Sequence, residues 1–253
     1  MSLFISIIQN NLNLLGIKKG SRILDVGCGN GDYVSRLCAI GYDAYGVDIK
    51  FKEGRNNEKL IKTKRIMLID IGNKDRVSLR KGDKYIWPKF TKKFEVVVSM
   101  AVIEHVNNID DFIYNILKVI NPLNGVCIHY YPSKLSVIEP HTGVPFGAIL
   151  KYELWFRIMC YFNLCFKNYR NEGLKAYKYM RDFTFFRFHK NLDKIFKNYG
   201  FDKLEYTKNQ LNSHPSKFFR ILSNMSFFVY LFEIFRSRVV VYKLIKKNRD
   251  NIL

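Results

Sequence analysis

At 253 residues the chain is long enough for one sizeable α/β domain with insertions. Hydrophobic residues make up 48% and charged residues 25%, which excludes a disordered tail. Against 42 Lys and Arg stand 22 Asp and Glu, and the net charge of +20 favours an anionic partner: nucleic acid, a lipid headgroup or a phosphorylated substrate.

Apolar residues at Leu3, Ile7, Ile8, Leu12 and Leu15 predict a short amphipathic helix ended by Gly16. A strand over 22–26 (RILDV) breaks into the glycine-rich run GCGNG at 27–31, and a helix follows through Tyr33, Leu37 and Ile40 to Gly41. Strands are expected over 42–47, ending at Asp48, and over 65–69, ending at Asp70. The run 94–99 (FEVVVS) alternates too little for a half-exposed strand and is expected to be buried on both faces. A helix over 110–120, a strand over 125–131, a helix over 187–199, and strands over 201–207 and 238–244 complete the pattern. This βαβα rhythm predicts a single α/β domain with a doubly wound, mostly parallel sheet. Segments 132–186 and 209–236 fall outside that frame and read as helical insertions, which in such folds commonly set specificity.

The five cysteines are odd in number and form no CxxC pair, so neither a disulfide framework nor a thiolate zinc site is expected and a reducing, cytoplasmic setting fits. The N-terminal stretch lacks the basic start and cleavage site of a signal peptide. No run of 18 residues is both apolar and uncharged, so the chain is expected to be soluble or to sit on a surface. Lys, Asn, Ile, Phe and Tyr are all abundant, as AT-rich coding would produce, so compositional drift is the alternative source of part of the basicity.

The strongest local signal is ILDVGCGNG at 23–31, where a strand hands over to a helix. Glycines there permit a tight turn and close approach of a ligand to the backbone. Asp32 occupies the place where a pyrophosphate-binding loop keeps a small neutral residue, and with Asp25 it favours a cationic ligand over a phosphate. Asp48, 17 residues past Gly31, can accept hydrogen bonds from both hydroxyls of a ribose, and Asp70 is placed to meet an adenine amino group. Residues 99–101 (SMA) end the fourth strand at the floor of the same crevice.

Taken in order, DVGCGNG, GVDI, FEVVVSMAVIEHV and LKVINPLNGVCIHYYP resemble the class I S-adenosylmethionine-dependent methyltransferases, in particular the small-molecule branch that includes ubiquinone-pathway enzymes. The resemblance covers roughly residues 20–131 and implies a Rossmann-like sheet of seven strands, the last antiparallel. It implies that Asp25, Gly27, Cys28, Gly29 and Gly31 hold the methionine part of the cofactor S-adenosylmethionine. Asp48 and Ile49 would meet the ribose, Asp70 and Ile71 the adenine, and Met100 the methyl pocket. The stretch 72–93 is longer than the family's and leaves the adenine wall open.

A hydroxyl acceptor needs a base, and His is suited to the task near neutral pH. His105, in the Glu104-His105 pair after the fourth strand, reads as framework, and His129 as a hydrogen-bonded core group; His189 and His214 carry no pattern. His141 lies in EPHTGVPF at 139–146, a Pro- and Gly-rich loop just past the fifth strand, and is the predicted catalytic base, oriented by Glu139. That loop resembles a segment of methyltransferases from bacterial surface-glycan gene clusters, so a saccharide or lipid-linked glycan hydroxyl is the first expectation for the acceptor. A quinone-like lipid is the alternative, and an inactive cofactor-binding module the reading from another class. No acid and His have metal-ligand spacing along the chain, so no metal is predicted.

Segments 148–166 and 218–235 are dense in aromatic and aliphatic residues and are followed by Lys and Arg, as in helices that lie on an anionic membrane, cover a site or form a homodimer contact. Aromatic residues and bases alternate over 166–190, yet no RNA-binding module is visible and the (D/N)PP(Y/F) motif is missing, so nucleic acid is disfavoured.

Overall fold

The computed structural model describes residues 3–51, 57–72, 92–205, 207–212 and 216–245. Helix α1 (Leu3–Leu14) leads into β1 (Arg22–Val26), α2 (Asp32–Ala39), β2 (Asp43–Asp48), α3 (Asn57–Lys62) and β3 (Ile66–Leu68). After β4 (Val96–Met100), a 3-10 turn (Ile103–His105) precedes α4 (Ile109–Val119) and β5 (Val126–Pro132). Helices α5 (Glu153–Tyr161) and α6 (Gly173–Phe183) follow, then α7 (His189–Asn198) and β6 (Phe201–Glu205). Finally come α8 (Thr207–Asn212), α9 (Lys217–Leu222), α10 (Ser226–Phe235) and β7 (Ser237–Leu244).

The strands form one seven-stranded sheet in the order β3-β2-β1-β4-β5-β7-β6. The first five strands pair in parallel, whereas β7 runs antiparallel to both β5 and β6. This is the doubly wound arrangement the sequence predicts. Strand order reverses between β1 and β4, and ligands of open α/β sheets bind outside the carboxyl ends of the strands at such a switch point.

Helices cover both faces. One core packs α1, α2 and α3 on the sheet through Ile8, Leu12, Val34, Leu37 and Leu60. The other seats α4 and α7 through Phe112, Ile113, Ile116, Leu192 and Phe196. Val96, Val97, Val98 and Ser99 are fully buried, as a strand covered on both faces requires. Helix α4 is capped by Asn108, whose side-chain oxygen accepts from the N–H groups of Asp110 and Asp111, and Asp110 and Asp111 also suit its positive end.

Segment 132–186 builds a satellite core of its own. Val144, Ala148, Phe156, Cys160, Ala176 and Met180 are buried together, and at about 1.5–3 kcal/mol for each large side chain they hold the insertion as a unit. Lys151 Nζ pins it from within, donating to Met180 O, Thr184 O and Thr184 Oγ1 at 3.0, 2.6 and 2.9 Å. The apolar runs read as long helices at 148–166 and 218–235 are shorter. The first folds as α5 alone, because the chain turns at Asn163 with φ of 59°, and the second is split between α9 and α10 by a turn at Ser223. Ser223 is buried at that break, its one hydroxyl proton within reach of either Asn212 or Arg220 O. No helix among the described residues is long and apolar enough to cross a membrane.

Candidate active site

The glycine loop leaves β1 and turns back over β2. Gly27 and Cys28 both donate their N–H to Val47 O, at 2.8 and 3.1 Å. Gly27 has φ of 77°, and a Cβ there would collide with Val102, so both backbone conformation and space demand glycine. Gly29 N–H donates to Asp48 Oδ2 at 2.7 Å, and Lys50 N–H donates to Asp48 Oδ1 at 3.2 Å. These bonds fix the carboxylate at the end of β2 while leaving about half of its lone-pair sites for a ligand.

Asp25 lies behind the loop and is buried, and its Oδ2 has no hydrogen-bond partner. Burial, with the charge of Asp48 added, pushes its carboxyl up to about 8. The Cys28 thiol is raised by burial and by the same two carboxylates. This end of the crevice is built for a positive charge that would settle between Asp25 and Asp48.

The remaining residues expected at the cofactor lie around the same strand ends. Met100 closes β4, and Tyr33 OH reaches its sulfur at 3.9 Å. Asp70 Oδ1 accepts from Gly72 N–H at 3.2 Å, and Ile71 is buried with its carbonyl held by Asn115 Nδ2 at 2.9 Å. Ile49 stands at the rim, 70% exposed. Most of the long stretch 72–93 lies outside the described residues, as does His214.

Past the ends of β4 and β5 the polar groups converge. Glu139 is fully buried and accepts four hydrogen bonds: from His141 N–H (3.0 Å), Thr142 N–H (2.7 Å), Thr142 Oγ1 (2.8 Å) and His141 Nδ1 (2.6 Å). Burial alone would raise its carboxyl, but the bonds from His141 and Thr142 outweigh that and hold it below the ordinary value. A carboxylate accepts only, so His141 carries its proton on Nδ1, and the lone pair of the neutral ring is on Nε2. The pairing of His141 with Glu139 is the one expected from the loop sequence.

The structure also brings in two residues set aside as framework. His105 Nε2 lies 3.1 Å from His141 Nε2, and the two rings meet edge to face at 4.8 Å. Glu104 is buried and its Oε1 lies 3.9 Å from His141 Nε2. Neither of its carboxylate oxygens has a hydrogen-bond partner, and burial pushes this carboxyl up to about 7. Glu104, His105 and His141 therefore form a group with ligand atoms all within 4.8 Å. Counting spacing along the chain misses this set because the two histidines are 36 residues apart and meet only when the insertion folds back. The legible signal was position: Glu104 and His105 follow β4 directly, at the carboxyl end where such sheets place their sites.

Tyr179 and Phe186 flank His141 with ring centroids 5.8 and 6.1 Å away, giving the imidazole an aromatic surround. His129, by contrast, is a core group as expected, its Nδ1 paired with Ser99 Oγ at 2.7 Å and its ring pushed by burial down to about 3.

The comparisons with known proteins bear on the family and the fold. A family model described as a methyltransferase domain matches residues 4–206. The chain belongs to the methyltransferase domain family. The class I resemblance read from DVGCGNG, GVDI and the fourth and fifth strands stands with it. Among curated proteins, the ubiquinone biosynthesis O-methyltransferase of Pelagibacter ubique is 32% identical over 108 residues, covering 43% of this chain and 40% of that protein. That of Azorhizobium caulinodans is 30% identical over 115 residues, covering 44% and 40%. The match thus spans about two fifths of these relatives' length. Among solved structures, the plantazolicin methyltransferase BpumL, in complex with a pentazolic desmethylPZN analog and SAH, superposes with a TM-score of 0.56 at 11% identity over 96% of this chain and 84% of that one. An S-adenosylmethionine dependent methyltransferase from Mesorhizobium loti reaches 0.50 at 12% identity, covering 92% and 95%. At these identities the superpositions speak for the fold.

Proposed function

We propose that this methyltransferase moves the methyl group of S-adenosylmethionine to a hydroxyl oxygen of a quinone-type phenol. The observation that carries the reading is the placement of the Glu139–His141 pair past the ends of β4 and β5, on the sheet whose β1 and β2 ends present the Asp25–Asp48 crevice. The cofactor fits that crevice on the ground of charge. A buried, unsatisfied Asp25 beside Asp48 is costly alone and is relieved by a ligand bearing an ammonium and a sulfonium. Asp48 keeps lone pairs for the ribose hydroxyls, and Met100 with Tyr33 lines the side toward the methyl group.

The bound cofactor supplies an already activated methyl group, whose S–C bond breaks as the O–C bond forms. The chain's own tasks are alignment and removal of the acceptor proton. His141 Nε2 takes that proton, while Glu139 fixes the tautomer and stabilises the imidazolium that results. Relatives named for ubiquinone biosynthesis and the aromatic surround of His141 favour a phenol over the saccharide first expected from the loop. Calorimetry with S-adenosylhomocysteine tests the cofactor site: micromolar binding that Asp48→Ala abolishes is expected, and no binding to the intact chain would sink the assignment. His141→Ala should lower turnover by roughly 100-fold or more, with cofactor binding intact. Near-normal turnover would remove His141 from the chemistry. Presenting a phenol and a saccharide acceptor side by side, with product identified by mass spectrometry, decides between the two classes.

We further propose that the chain works at an anionic membrane surface, where a lipid acceptor is met. Phe218, Ile221, Phe227, Tyr230 and Phe235 of α9 and α10 are exposed, Phe227 to 69%. Lys217 and Arg220 lie in α9 and Arg236 caps the end of α10, and the whole molecule bears +20. Apolar side chains beside bases on short helices suit the headgroup boundary of an anionic bilayer.

A further inference from the structure

We infer that Glu104, His105 and His141 form a binding site for a divalent cation of the zinc class. The argument starts from the tautomers. His141 Nδ1 donates to Glu139 Oε1 at 2.6 Å, and His105 Nδ1 lies 2.6 Å from Phe183 O, a carbonyl that can only accept. Each neutral ring then has its lone pair on Nε2, and these two nitrogens face each other across 3.1 Å. Two lone pairs at that distance need a cation between or beside them. For tetrahedral coordination with metal–nitrogen bonds near 2.0–2.1 Å, the two nitrogens should be about 3.3 Å apart, close to what is found.

The third ligand is Glu104, whose side chain is 1% exposed and both of whose oxygens lack a hydrogen-bond partner. A carboxylate kept dry and unsatisfied beside two imidazoles suits coordination of a cation. The three ligand atoms lie within 4.8 Å of one another, so a carboxylate movement of about 1.5 Å completes the set. The outer partners also match a metal site: a ligating His ordinarily donates its other N–H to a carboxylate or a backbone carbonyl, and here one ring does each. Two imidazoles and one carboxylate suit zinc and similar divalent ions rather than magnesium or calcium, and three protein ligands leave a position open.

The inference deepens the proposed function in one respect: it rests on that reading for the acceptor oxygen occupying the open position. A hydroxyl coordinated there would lose its proton to water near neutral pH, and in the ion-bound form this route replaces proton transfer to His141 Nε2, which belongs to the ion-free chain. Ion binding itself does not depend on the acceptor.

The test is titration of chelator-treated protein with Co2+ and Zn2+, read by the visible ligand-field bands of cobalt, by stoichiometry and by thermal melting. One ion per chain is expected, with nitrogen-ligated cobalt bands and a rise in melting temperature on adding Zn2+. His105→Ala and the near-isosteric Glu104→Gln should each abolish the bands. Glu139→Gln should weaken binding by about 10–100-fold through the orientation of His141 alone. S-adenosylhomocysteine binding, measured on the same preparations, should persist in all three variants and so shows that they are folded. Binding well below one ion per chain, or cobalt bands unchanged in both His105→Ala and Glu104→Gln, overturns the site and means that the two rings share only a proton. Cofactor binding without ion binding would leave the methyltransferase reading standing, and ion binding without cofactor binding would do the reverse.

Discussion

Asp25 is buried with its Oδ2 unsatisfied and the Asp48 charge beside it, which makes it a residue whose ionisation opposes folding of the ligand-free chain. Its carboxyl is raised from the ordinary 3.8 to about 8, so its contribution to stability is complete below pH 3.8 and is lost as pH climbs toward 8. Denaturant unfolding of the ligand-free protein should therefore show falling stability across that window. Asp25→Asn should flatten the decline and stabilise the ligand-free chain at pH 8 while weakening cofactor binding. A cationic ligand reverses the balance by drawing the carboxyl into its charged form. Calorimetry at pH 7 in two buffers of different ionisation enthalpy should reveal a proton released on binding of S-adenosylmethionine. Equal heats in the two buffers would mean that Asp25 is already ionised in the empty crevice. The glycine loop and Asp48 were legible in the sequence because a strand–glycine–helix junction and a strand-end carboxylate are local patterns. The burial of Asp25 and the meeting of His105 with His141 were not, because both depend on how distant segments pack.

Among the elements, α7 and β7 are joined by a buried charge network. Arg238 is 2% exposed, and its Nη1 and Nη2 donate to Asp193 Oδ1 and Oδ2 at 2.8 and 3.1 Å; Tyr242 OH also donates to Asp193 Oδ1, at 2.6 Å. Removing one partner strands a buried charge, so Asp193→Ala should cost about 3–5 kcal/mol in urea unfolding. A loss under 1 kcal/mol would mean that Arg238 finds water instead. The strands of the sheet were legible to within a residue or two, since β4 and β5 are continuous apolar runs bounded by polar turns. The helices of the insertions were less so. High apolar density over 148–166 and 218–235 suggests long helices, but density carries no period, and local side-chain bonds such as that of Ser223 end them early.

For the whole molecule, the question is where the +20 charge and the exposed apolar row act. Flotation with liposomes rich in anionic lipid should carry the chain upward at low salt, with recovery falling as ionic strength rises. Replacing Phe218, Ile221, Phe227 and Tyr230 together by Ser should abolish flotation and leave cofactor binding unchanged. Failure to float at low salt would count against the membrane, and a concentration-dependent dimer that the same substitutions dissolve would assign the row to a second copy of the chain. Composition revealed the charge excess, but only the folded chain shows that α9 and α10 leave Phe218, Phe227, Tyr230 and Phe235 exposed.

The insertion and the turn after β4 are stitched together through backbone groups. Phe185 N–H donates to Glu104 O at 2.6 Å, and His105 Nδ1 meets Phe183 O. Arg187 Nη2 adds a bond to Asn107 O at 2.6 Å. The insertion is therefore not a portable cassette. A chimera that transplants 132–187 alone into another sheet of this kind would leave its inner seam unmatched, whereas one that also carries 103–107 keeps both halves of the seam. The two stretches of chain are bound to each other closely enough that they would have to diverge in concert.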